Sequence, residues 1–336
     1  MSRFLVELSG ENPELAAAEA LAVTASVGGT AVGDRSTGDP PLLEIDLPDR
    51  ETAVRLAARL ALSRRVLERW PEGSIAEGAA RLHREGRPDR SIAVRPLGRP
   101  GAPIAAGLRA LADAFRAGGG RIDLDRPDRV IFVDAAGDPV TIADRVAEVD
   151  RGAFGRRRLT TLPFRRPVSL APRLARAAVN LAGVGPGDRV VDPFVGTGSL
   201  LLEAALLGAR VTGIDRDPTM VRGAIQNFAH LGLEFEGLSV ADAGDAADAY
   251  AGPPFDALVT DAPYGRSSSS GGEPPGALLS RALVRWAARV RPVGRIVVVV
   301  PGGDDPLPPP WRRSLSIPDR VHRSLTREFR LFRRAA

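Results

Sequence analysis

The 336-residue sequence has no cysteine, and it has no lysine either: all 46 of its basic residues are arginine. Without cysteine there is no thiolate nucleophile, no disulfide framework and no cysteine metal site. Without lysine there is no Walker lysine, no kinase lysine and no Schiff-base lysine. The three histidines, His83, His230 and His322, are far apart and none falls in an HxxxH spacing, so no metal is expected. The longest aliphatic run, IVVVV at 296–300, is far too short to span a bilayer. The opening residues MSRFLVELSG lack the apolar core of an export signal. A globular, cytoplasmic protein with no membrane partner is expected.

Charge is unevenly placed. Residues 1–150 carry 20 arginines against 24 acids, whereas residues 151–336 carry 26 against 17. The excess lies mainly in 151–187, with eight arginines and no acid, and in the tail 311–336. A positive stripe confined to part of a chain suits a phosphate-bearing partner. For the tail, a solvated arginine face is the plain alternative.

Periodicity and punctuation divide the chain into segments. Residues 1–70 run strand, helix, strand, strand, helix, strand, with Asn12-Pro13 opening the first helix and Asp49 capping the second. That order predicts a ferredoxin-like unit. Residues 71–150 read as a second α/β module: helices at SIAEGAARLHRE and PIAAGLRALADAFRAG, strands at SIAVRPL, RIDLD, RVIFVD and PVTIADR. Its Arg81, Arg84, Arg87 and Arg90 are either a local RNA patch or a solvated helix face. Residues 151–169, RGAFGRRRLTTLPFRRPVS, read as an ordered basic linker. Arg156, Arg157, Arg158, Arg165 and Arg166 are its candidates for phosphate contact. Residues 170–336 have the period of a doubly wound, Rossmann-like α/β sheet. Its strands are RVVD, RVTGID, GLSVAD, FDALVTD and GRIVVVVP, and the final RSLSIPDRVHRSLTREFRLFRR is read as a strand pair closing one edge.

The stretch DPFVGTG, Asp192 to Gly198, leaves strand RVVD and opens a helix. Glycines let the backbone approach a ligand, and the helix start supplies free N–H groups. An aspartate at the mouth of such a loop disfavours a pyrophosphate, and with it NAD. It would welcome the ammonium and sulfonium of S-adenosylmethionine (SAM). Asp215, ending RVTGID, is placed to accept two ribose hydroxyls, and Asp242, after GLSVA, to meet an adenine amino group. The expected cofactor contacts are therefore Asp192, Phe194, Gly196, Thr197, Gly198, Asp215 and Asp242. The plain alternative is that each acid caps the helix that follows it.

Strand FDALVTD ends in Asp261-Ala262-Pro263-Tyr264, ahead of a serine-glycine tract. In an open parallel sheet, ligands lie beyond the carboxyl ends of the strands. Pro263 biases Ala262 toward an extended conformation, which would turn the Ala262 carbonyl outward. With the Asp261 carboxylate it would make two acceptors for the two hydrogens of an exocyclic amine, orienting the nitrogen for attack on a methyl group. Tyr264 would stack on the base. A strand followed by an Asp-x-Pro turn is the bland reading of the same four residues.

DPFVGTG, GIDRD and DAPYGRS, in this order, resemble the amino-methyltransferases of the Asp/Asn-Pro-Pro-Tyr class. RGAFGRRR, RRPVSLAPRLARAAVNLAGV and VHRSLTREF bring the likeness closer to the archaeal tRNA guanine-N2 methyltransferases acting at tRNA position 10. The likeness covers roughly 150–336. It implies a class I SAM-dependent methyltransferase domain over 170–336, a THUMP-like RNA-binding module over 71–150 by layout, and tRNA as partner. It makes Asp261 the amine contact and Tyr264 the stacking ring. Where the family has its first proline this chain has Ala262. Alternatives carried alongside are an rRNA guanine-N2 methyltransferase and a catalytically silent RNA-binding partner protein.

Overall fold

A computed structural model describes residues 1–98, 102–134, 140–158, 160–166, 169–262, 275–323 and 325–335; of Arg35, Ala102, Pro103 and Pro275 only the backbone is described. The chain forms two compact units: Met1–Ala58 with Ser63–Val149, and Arg59–Leu62 with Asp150–Ala336. No helix among the described residues is long and apolar enough to cross a membrane.

The first unit is built on one eight-stranded sheet. It opens with β1 (Ser2–Leu8), α1 (Pro13–Ser26), β2 (Thr30–Arg35), β3 (Leu42–Leu47), α2 (Arg50–Arg59) and β4 (Ser63–Arg69). The expected caps are in place: Asn12 Oδ1 accepts from the Leu15 amide at 3.1 Å and Asp49 Oδ1 from the Thr52 amide at 2.7 Å. Such caps contribute about 1 kcal/mol each. There follow α3 (Ile75–Glu85), β5 (Ser91–Pro96), α4 (Ala102–Ala117), β6 (Arg121–Ile122), β7 (Arg129–Asp134) and β8 (Thr141–Glu148). Strand order is β2-β3-β1-β4-β8-β7-β5-β6. The antiparallel pairing of β4 with β8 joins the strands before residue 70 to those after it. The strand expected at RIDLD shrinks to the two residues of β6, because Asp123 turns away to accept the amides of Asp125 and Arg126.

The second unit starts earlier than the segment boundary at 170. Asp150 caps α5 (Arg151–Arg156) through the Ala153 amide at 2.9 Å, and Phe154, Leu162 and Leu170 are buried. Apolar side chains spaced among the arginines therefore fold 150–170 onto the unit. Then come α6 (Pro172–Leu181), β9 (Arg189–Asp192), α7 (Ser199–Ala205), β10 (Arg210–Asp215), α8 (Pro218–Leu231), β11 (Gly237–Val240), α9 (Ala243–Ala249), β12 (Phe255–Asp261), α10 (Pro275–Ala287), β13 (Val290–Val300), β14 (Trp311–His322) and β15 (Leu325–Arg334). The sheet order is β11-β10-β9-β12-β13-β15-β14. The first five are parallel, β15 is antiparallel to β13, and β14 closes the edge as expected from the sequence. Successive connections run outward from β9 in one direction and from β12 in the other. The switch point, where ligands bind in open α/β sheets, therefore lies between those two strands.

One face of β12 and β13 packs Phe255, Leu258, Ile296 and Val298 against Leu283 and Trp286 of α10. Tyr250, Phe255 and Trp286 form an aromatic cluster with centroids 4.9–5.9 Å apart. Trp286 Nε1 donates to the Ala243 carbonyl at 2.7 Å, which fixes the start of α9. That short alanine-rich helix has no clear apolar period, and the sequence reading passed over it.

Candidate active site

Three adjacent parallel strands each end on an aspartate: β10 on Asp215, β9 on Asp192 and β12 on Asp261. Asp192, in the middle, is 2% exposed. Its Oδ1 accepts from the Thr260 hydroxyl at 2.7 Å and from the Phe194 amide at 3.0 Å. Burial pushes this carboxyl up to about 7; the Thr260 and Phe194 hydrogen bonds pull it back, while the charges of Asp261 and Asp215 add to the rise. Asp215 is likewise raised by burial. One of its oxygens accepts the Gly196 amide and the other the Asp217 amide, each at 2.9 Å. It thus braces the glycine loop against the turn into α8, leaving a second lone pair on each oxygen.

The loop Pro193–Gly198 turns back at two glycines of positive φ, Gly196 at +52° and Gly198 at +86°, before α7 begins. A side chain at Gly198 would be strained by that φ. The Val195 amide donates to the Ile214 carbonyl at 2.8 Å, and Thr197 Oγ1 donates to Ser169 Oγ at 2.9 Å. The five loop candidates and Asp215 thus lie together.

Asp242 has a different surrounding. It caps α9 through the Gly244 amide at 2.8 Å, and Arg281 pairs with both its oxygens at 2.9 and 3.1 Å. The Arg281 bond, with the backbone amides, holds its carboxyl down at about 2. At this acid the helix-capping alternative is realised.

Asp261 is half-buried, and the Ala262 amide donates to the Val299 carbonyl of β13 at 2.9 Å. Ala262 is 4% exposed and belongs to the apolar cluster beneath β12. Pro263 and Tyr264 lie outside the described residues.

Of the arginines in 151–169, Arg156, Arg158, Arg165 and Arg166 are exposed. Arg157 is not: it forks onto Glu203 of α7 at 2.9 and 3.1 Å and lies over the Phe154 ring. Arg176 reaches the same carboxylate at 2.8 Å, and Glu203 is 2% exposed. The role expected of Arg157 on phosphate is therefore corrected: a buried acid that needs two cations holds it inward.

Sequence reasoning missed Asn227. This fully buried side chain on α8 accepts the Phe164 amide and donates to the carbonyls of Phe164 and Thr197, all at 3.0 Å. Beside it the Phe164 ring lies on Gly223, where any Cβ would collide with it. The available signal was a polar residue on the inward side of helix DPTMVRGAIQNFAHLG. Thr260, one residue before Asp261, was missed as well.

A turn with left-handed glycines at a helix start, ringed by carboxylates that oppose one another's ionisation, suits a ligand bringing positive charge and hydroxyl donors. Among the described residues, no three acids or histidines are grouped to hold a metal.

Residues 160–307 match the family model UPF0020, described as an RMKL-like methyltransferase domain. A protein named tRNA (guanine(10)-N2)-dimethyltransferase, from Methanothermobacter thermautotrophicus, is 37% identical over 219 residues. That match covers 64% of this chain, and the chain spans 64% of that relative's length. TrmN from Thermus thermophilus superposes over 99% of this chain and 100% of its own, with TM-score 0.53 at 22% identity. SMU.472, solved as a complex with SAH, gives TM-score 0.50 at 14% identity over 100% of this chain and 99% of its own. The second unit therefore has the mixed α/β methyltransferase fold with a Rossmann-like sheet.

Proposed function

We propose that this chain transfers a methyl group from SAM to the exocyclic N2 amine of a guanine in tRNA, at position 10, giving N2-methyl- or N2,N2-dimethylguanosine. The observation that carries this is the row of strand-end acids Asp215, Asp192 and Asp261 at the switch point. Asp215 and Asp261 flank Asp192, each two residues further along its own strand. The name and 37% identity of the archaeal relative support guanine N2 as the target.

When bound, SAM supplies a methyl group made electrophilic by its sulfonium. Asp192 and the turn Phe194–Gly198 would hold its amino-acid end and Asp215 its ribose hydroxyls. Asp242, already tied to Arg281, would add an acceptor for the adenine amine. Asp261 and the Ala262 carbonyl would grip the guanine amine, and Asp261 would take the proton the nitrogen loses. Tyr264 would stack on the base. Exposed Arg156, Arg158, Arg165 and Arg166 would meet phosphates, with residues 1–70 as a ferredoxin-like domain and 71–150 as a THUMP-like module for the tRNA.

The test is incubation of the protein with SAM and an unmodified tRNA transcript, with the product nucleoside and its position read by mass spectrometry. N2-methylated guanosine at position 10 is expected, and modification confined to carbon or ribose oxygen would overturn the reading. Asp261→Asn should lower the transfer rate by about 100-fold or more while SAM affinity, measured by calorimetry, stays within a factor of two or so. An active variant would remove Asp261 from the chemistry. An rRNA fragment assayed in parallel separates the two RNA classes.

A further inference from the structure

The proposed chemistry leaves the arginines of the C-terminal tail without a role. In the antiparallel edge of the second unit's sheet, register sets Arg295 of β13 opposite Arg333 of β15, and Arg333 opposite Arg312 of β14. Directly opposed residues on neighbouring strands project from one face. Three guanidinium groups therefore form a row across three strands, on a footing of about 10 Å. Arg312 and Arg333 are exposed and Arg295 half-buried. Arg295 Nη1 donates to the Leu181 carbonyl at 3.5 Å. Its burial, and then the charge of Arg333, disfavour its protonated form.

Like charges set directly opposite each other destabilise a sheet. Three other arginines of this hairpin have carboxylate partners: Arg313 pairs with Asp305, Arg327 with Asp319 and Arg330 with Glu328. Among the described residues, no carboxylate comes within ion-pairing distance of Arg295, Arg312 or Arg333. Set opposite one another, the three charges oppose the pairing of their strands, and an anion laid along the row would relieve the repulsion. Guanidinium forks match phosphate oxygens in geometry as well as charge.

The geometry points to Arg295, Arg333 and Arg312 as a phosphate-backbone contact for the RNA substrate, separate from the catalytic strand ends. Arg295 lies opposite Ala257, four residues before Asp261, or about 13 Å back along the strand. The row thus holds RNA away from the target base. This inference rests on the reading of the chain as an RNA methyltransferase.

The test uses the full chain with Arg312→Gln and Arg333→Gln together; both side chains are exposed, so the fold should survive. Binding of an unmodified tRNA transcript is measured by filter binding across a salt series, beside SAM affinity by calorimetry. Losing two phosphate contacts should flatten the slope of log Kd against log salt by about 1.4–1.8. SAM affinity should stay unchanged, as should kcat at saturating tRNA. The paired lysine substitutions should restore the slope. An unchanged slope in the glutamine variant, or no recovery with lysine, would overturn the inference alone. A wild-type protein that binds no tRNA would overturn both it and the reading beneath it.

Discussion

Asn227→Ala would remove three hydrogen bonds and no charge. The side chain is fully buried and serves the Phe164 amide, the Phe164 carbonyl and the Thr197 carbonyl, each at 3.0 Å. A net hydrogen bond is worth about 1 kcal/mol, so three amount to about 3 kcal/mol. For a unit of this size that corresponds to a melting temperature lower by about 6–12 °C. The local signature is sharper. Phe164 N–H loses its acceptor, and about 3 kcal/mol equals roughly a hundredfold faster exchange. Hydrogen-exchange mass spectrometry on peptides spanning 160–166 and 193–200 reads both ends of the link. Because Asn227 also bonds the Thr197 carbonyl inside the glycine loop, SAM affinity should fall with the loop's order. Asn227→Asp separates the contributions: it keeps the acceptor for Phe164 N–H but turns a carboxylate toward two carbonyl oxygens. That variant should protect the Phe164 amide better than alanine does while melting no higher. Unaltered exchange at Phe164 in Asn227→Ala, with an unchanged melting temperature, would refute the reasoning.

Asp192 predicts a pH dependence. Its carboxyl is raised to about 7 when folded, against about 3.9 in an unfolded chain. The folded state therefore binds the extra proton between those values. That stabilisation is complete below about pH 4 and is lost as pH climbs through 7, a change of up to about 4 kcal/mol. Urea unfolding followed from pH 4 to 8 should show the decline in the wild type and a flatter profile in Asp192→Asn; parallel profiles would contradict it. Glu203→Ala should cost about 3–5 kcal/mol, because it removes the buried carboxylate that Arg176 and the half-buried Arg157 share. A shift of the urea midpoint equivalent to less than about 1 kcal/mol would mean that neither arginine depends on that carboxylate.

Local chemistry was legible wherever one residue type has one main use. Asn12-Pro13 and Asp49 declared their helix starts, and Gly196 and Gly198 marked a turn that needs positive φ. The five parallel strands of the second unit were visible as short apolar runs, and three of them end on acids that the sequence singled out. Asp242 shows where that legibility stops. Its position after a strand suits both a ligand contact and a helix cap; the cap is formed, and its partner Arg281, 39 residues away, could not be read from the sequence. Arg157 is the same case: one arginine in a basic run looks like its neighbours until Glu203 is placed beside it.

By itself, then, the order of amino acids determined most of the elements, the caps at Asn12 and Asp49 and the acids at the strand ends, because those follow from period and from bonds spanning two to four residues. Only the tertiary structure decided which β-strands lie side by side, that 150–170 belongs to the second unit, and that three arginines from separate strands stand in one row. Each of these depends on pairing between residues far apart in the chain, whose loop-closure cost and packing gain no short stretch can encode.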